Sequence, residues 1–150
     1  MIVRTSRRMS GELGRMRAIV ERLSVEGLRQ RVNENWTVAG VLAHIAYWDQ
    51  RAVWLAGKIE RGEPFTEDEA EPDSPDWVND VARPFLHAIE PRAAAALALQ
   101  IAEEIDRRVA ALPPESVWPN SDTSLLNAFR SGHRAEHLDE LEARLLEADH

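Results

Sequence analysis

Apolar residues recur along this chain at three- and four-residue steps in four separate runs, and no convincing strand can be read. The first run predicts a helix over residues 6–31, with Met9, Leu13, Met16, Val20, Leu23 and Leu28 inward. The second predicts a helix capped by Thr37 after a turn at Trp36 and ending near Gly62. Its stripe is Val38, Val41, Leu42, Ile45, Trp48, Ala52, Leu55 and Ile59. A third helix is expected to start at Pro91, where proline suits a first turn, and to stop before Pro113 and Pro114. Leu97, Ile101, Ile105 and Leu112 mark its buried face. The fourth covers about residues 122–147, with Leu126, Phe129, Leu138, Leu141 and Leu145 inward.

The connection after the second helix differs in kind. Residues 62–76 hold three prolines, seven acids and no basic residue, too polar to build a core of their own. A short helix carrying Trp77, Val78 and Val81 is expected from Ser74-Pro75, interrupted around Pro84. A connection of this length fits two consecutive bundle helices that run parallel. The reading is all-α, one domain over residues 1–150.

Composition narrows the functions open to such a chain. The net charge of −8 argues against a general nucleic-acid binder, which needs a basic face. Eight arginines against Glu12, Glu21 and Glu26 in residues 1–31 read as a solvated face complementing acidic segments elsewhere. There is no cysteine, so any transition-metal site must use imidazole or carboxylate. No run approaches the length of a membrane span and the first residues lack a signal-peptide apolar core, so a cytoplasmic location is expected.

Three of the five histidines fall where periodicity calls for buried or half-buried positions. With Leu126 as the zero direction and about 100° per residue, His133 lies at roughly 340° and His137 at roughly 20°, in line with the stripe. His44 lies at the edge of the second helix's stripe, one turn from Trp48, the tryptophan expected nearest the site. Imidazoles in an apolar seam need partners, and a shared ion supplies one for each. Histidines four apart span one helical turn and can reach one ion; three protein nitrogens leave a coordination position open, as in catalytic zinc sites. Two solvated histidines, or core histidines bonded to carboxylates, are the plainer alternative.

Residues 133–137 also match H-x-x-E-H, where the glutamate would be a peptidase base. The chain is short and lacks a strand edge to hold a peptide, which argues against that chemistry. Glu136 points away from the two histidines, whereas Glu140 shares their face, either paired with Arg144 or orienting an imidazole. His87 reads as a surface histidine in an irregular stretch and His150 as a terminal one.

Trp36-Thr37-Val38-Ala39-Gly40-Val41-Leu42-Ala43-His44-Ile45, followed by Trp48-Asp49, resembles the second-helix signature of the DinB/YfiT-like superfamily. His133-Arg134-Ala135-Glu136-His137-Leu138-Asp139-Glu140-Leu141-Glu142 resembles its last-helix motif. The resemblance implies a four-helix bundle of up-down-down-up type with a crossover after helix two. It implies His44, His133 and His137 as metal ligands, zinc or nickel as the ion, and a homodimer. Relatives with assigned functions include bacillithiol S-transferases and the mycothiol-dependent maleylpyruvate isomerase.

The expected function is therefore a metal-dependent enzyme acting on a small molecule, of thiol S-transferase or hydrolase type. A low-molecular-weight thiol would be its cosubstrate, and the acidic connection would cap the open coordination position. A non-catalytic metal-binding or stress-protection protein that sequesters a small molecule is the alternative. No nucleic-acid or membrane partner is expected.

Overall fold

The structure, a computed structural model, describes residues 2–64, 66, 69, 75–113 and 129–148, with side chains except at 2–10, 75, 129–133 and 146–148. Among the described residues it is all-helical. The helices are α1 (Ile2–Arg22), α2 (Val25–Arg29), α3 (Val38–Glu60), α4 (Pro75–His87), α5 (Pro91–Ala111) and α6 (Phe129–Ala148). None is long and apolar enough to cross a membrane.

The first predicted helix is in fact two. α1 ends at Arg22, and Ser24, in an extended conformation, caps α2 by accepting a hydrogen bond from the Gly27 N–H at 3.1 Å. Leu23 and Leu28 flank this break and are both buried, so the apolar spacing continues across it and disguises the interruption. The chain then doubles back: Val32 N–H donates to Trp36 O and Val38 N–H to Gln30 O, both at 2.8 Å. Asn33 Oδ1 accepts from the Asn35 and Trp36 N–H groups, which fixes Trp36 at the start of α3.

α3 begins as expected, with Thr37 Oγ1 accepting from the Gly40 N–H at 2.9 Å. It ends in a Schellman motif: Glu63 N–H bonds Lys58 O, Gly62 N–H bonds Ile59 O, and Gly62 supplies the left-handed φ of 69°. α5 starts at Pro91, and the Glu90 carboxylate accepts from the Arg92 and Ala93 N–H groups at 3.0 and 2.9 Å. α4 runs through Pro84 instead of breaking there. Pro84 and Asp80 are both exposed, so water can satisfy the Asp80 carbonyl that loses its donor. The expected start of the last helix near Asp122, together with Leu126 and Trp118, lies outside the described residues.

The most extensive helix contact is between α3 and α5, and alanine makes it possible. Ala39, Ala43, Ala46, Ala52 and Ala56 of α3 are buried, as are Ala94, Ala95, Ala98 and Ala102 of α5. This rotates α5 away from its expected face: Leu97 is 37% exposed and Ile101 only half-buried, while Ile105 and Leu112 are buried as expected. In the first half of α5, Leu97 and Ile101 do not define the interface, and the alanines do.

Buried apolar residues form two clusters, and on α3 the break between them falls at Asp49. Ala46 and the buried apolar residues before it pack with Met16, Ile19, Ala94, Ala95, Ala98, Ala102, Leu138 and Leu141. Ala52, Leu55 and Ala56 pack with Ile105, Val109 and Leu112. The arginine face of α1 meets acids as composition suggested, Arg15 binding Asp139 and Glu142 of α6 and Arg17 binding Glu103 of α5.

Candidate metal centre

α3 and α6 bring His44 and His137 together. His44 is buried, His137 is half-buried, and their ring centroids are 4.8 Å apart with planes nearly perpendicular. Two imidazoles bound to one ion at 2.0–2.1 Å hold their centroids about 5 Å apart, and this edge-to-face pair has that spacing. Burial pushes the His137 pKa below its ordinary value, with Glu140 and Glu136 pulling partly against it. The neutral form, the one that ligates, is therefore favoured. His133 lies one turn before His137 in α6, and its side chain lies outside the described residues. Among the described residues, no group of three or more histidine, aspartate or glutamate side chains gathers as an ion site.

The surrounding side chains come from the turn before α3, from α3 and from α4. Trp36 packs 5.3 Å from His44, centroid to centroid, closer than Trp48 at 6.5 Å. Trp48 Nε1–H donates to Asn79 Oδ1 of α4 at 2.8 Å, and the Arg83 guanidinium sits 5.5 Å from the Trp36 ring centre. His87 is exposed, as expected of a surface histidine, yet it contacts the site through Trp36. Its ring meets Trp36 edge-on at 5.3 Å, and its Nε2 accepts from the Thr37 N–H at 3.4 Å. A Cβ at Gly40 would lie 2.3 Å from that Nε2, so glycine admits the imidazole. Burial first, then the charges of Arg83 and Arg31, lowers the His87 pKa. The lone glycine early in α3 was the available signal, and it had no visible partner fifty residues away.

Glu140 Oε2 lies 4.0 Å from His137 Nδ1, placing this carboxylate beside the imidazole. Glu136 is exposed. In the acidic connection, Glu69 binds Lys58 Nζ at 2.9 Å and its carbonyl accepts from Arg51 at 3.1 Å, both on α3. The remainder of that connection, and His150, lie outside the described residues.

Sequence reasoning missed the charge cluster beside the histidines. Arg134 of α6 is 1% exposed and donates to Asp49 Oδ2 of α3 at 3.0 Å and to Asp106 Oδ1 of α5 at 3.2 Å. Glu12 of α1, also buried, places Oε2 4.0 Å from the same guanidinium. Burial pulls the Arg134 pKa down, but Asp49, Asp106 and Glu12 together outweigh it and hold the charge firmly. Burial pushes the Asp106 carboxyl up, against the opposing pull of Arg134. A signal was present: Asp49 follows Ile45 by four and precedes Ala52 by three, and Asp106 stands likewise between Ala102 and Val109.

The family model of the DinB superfamily matches residues 9–143. The chain belongs to the DinB superfamily. No curated protein and no solved structure matches it.

Proposed function

We propose that this DinB-superfamily protein binds a divalent metal ion, zinc or nickel, through His44, His133 and His137, and uses it to activate a thiol or water against a small electrophile. The observation that carries the reading is the His44–His137 pair, two imidazoles at ligand spacing in a helix–helix seam. When bound, the ion would supply Lewis acidity, making a thiol or water more acidic at neutral pH. Trp36 and Trp48 wall the pair, Asn79 holds the Trp48 ring, and Glu140 stands beside His137 to orient it. A low-molecular-weight thiol as cosubstrate and a homodimer complete the proposal on family resemblance.

The bundle topology belongs to the same proposal: up-down-down-up over α1, α3, α5 and α6, with the crossover carrying α4. The order of contacts supports it. His44 meets His137 while Asp49 meets Arg134, as opposed α3 and α6 require. Glu12 meets Arg134 while Arg15 meets Glu142, as parallel α1 and α6 require. Early α3 packs with early α5 and late with late.

Metal analysis of protein purified without a histidine tag tests the site. Metal near stoichiometry is expected, lost in a His133→Ala/His137→Ala variant; metal content unchanged by that variant would sink the proposal. Thiol transfer is tested by incubating metal-loaded protein with a panel of thiols and monochlorobimane. Thiol consumption above background is expected, and its absence would remove transferase activity from the reading.

A further inference from the structure

Apolar packing is non-directional, so an apolar stripe such as Leu138 and Leu141 does not by itself fix how a helix is rotated against its neighbours. A slip of one residue turns a helix by about 100°, enough to swing His137 away from His44. A buried guanidinium is different. Its donors form a rigid fork with required directions, and leaving it unpaired in the interior is costly. Arg134 lies three residues before His137, and Asp49 lies five residues after His44. The Arg134–Asp49 bond and the His44–His137 contact therefore join the same two helices at neighbouring levels. Asp106 and Glu12 close on the same guanidinium from α5 and α1, tying α6 to all three long helices at one height.

We infer that Arg134 is a positioning residue: its bond to Asp49 fixes the rotation and register of α6 on α3, so that His137 meets His44. The metal-affinity arm of the test rests on the proposed ion site, whereas the ring-contact arm does not.

The test compares the full-length wild-type chain with Asp49→Leu/Arg134→Leu, Arg134→Lys and Asp49→Asn. The readouts are thermal melting, the nuclear Overhauser contact between the His44 and His137 rings without metal, and zinc affinity by chelator competition. The paired leucine variant leaves Glu12 and Asp106 beside an apolar side chain, so it is expected to melt at a lower temperature while remaining folded at ambient temperature. It should nevertheless lose the ring contact and bind zinc about 10–100-fold more weakly. Arg134→Lys should regain part of that affinity, keeping the charge without the fork. A folded leucine variant with wild-type ring contact and zinc affinity would overturn the inference. Should that variant fail to fold, Asp49→Asn decides: a weakened ring contact supports positioning, and an unchanged contact and affinity refute it. Failure of the wild type to bind zinc would defeat the ion-site reading alone, and the ring contact would still decide the role of Arg134.

Discussion

The two sides of α3 are built on opposite principles. In its first half it buries Ala39, Ala43 and Ala46 in one cluster with Ala94, Ala95, Ala98 and Ala102 of α5. Toward α6 it presents His44 and Asp49 and meets His137 and Arg134. The alanine side gains contact through close approach and makes no demand on direction. The polar side gains little net energy, because desolvating charges offsets most of their attraction, but it admits few arrangements. One helix thus carries stability on one side and specificity on the other, and the candidate site lies on the specific side.

This contrast can be broken most forcefully at its charged centre. Arg134→Met leaves three carboxylates around an apolar side chain and is expected to cost about 3–5 kcal/mol, read by denaturant unfolding. The alanine seam should fail by crowding: Ala98→Leu, at a fully buried position, is expected to cost about 1–3 kcal/mol in the same measurement. A cost near zero would show that α3 and α5 are not closely packed there.

The third prediction concerns pH. The Asp106 carboxyl is raised by burial, so the folded chain holds its proton more tightly than the unfolded chain does. Between the ordinary aspartate value, about 3.9, and the raised one, this group makes stability fall as pH rises. Asp106→Asn should remove that fall, visible as a flatter dependence of the unfolding midpoint on pH across this window. An unaltered slope would mean that the charged form of Asp106 is adequately solvated.

The smallest effect belongs to the face of α3 that meets α4. Gly40→Ala should push the His87 imidazole out with little change in melting, since the displaced atom ends a movable side chain. In an NMR titration His87 should then move back up toward the ordinary imidazole pKa, because its burial is relieved. A His87 pKa that stays low would leave Arg83 and Arg31 as the dominant cause.

These comparisons also show what one sequence discloses. Local chemistry was legible: Thr37 capping, Pro91 opening a helix, Gly62 closing one, and the inward placement of His44. Each depends on neighbours within a few residues. The break at Ser24 was equally local, but buried Leu23 and Leu28 on either side carried the apolar pattern across it. The Arg134 cluster was hidden for another reason. Its four members come from four helices, so the stripe positions of Asp49 and Asp106 gave no sign of the partner they share. Leu97 misled because size was taken to mark the buried face, whereas close approach rewarded Ala94, Ala98 and Ala102. His133 reads as an inward position, and its backbone place in α6, one turn from His137, is the part of that expectation within the described residues.

The alanine seam has a practical consequence for mutational mapping. Alanine scanning reports the loss caused by removing atoms beyond Cβ, and Ala94, Ala95, Ala98 and Ala102 have none to remove. Such a scan would return a blank at these positions, along the first half of the α3–α5 interface. It would assign its signal to the charged side and to larger buried side chains such as Leu55, Ile105 and Val109. Only substitutions that add volume can make this half of the molecule visible.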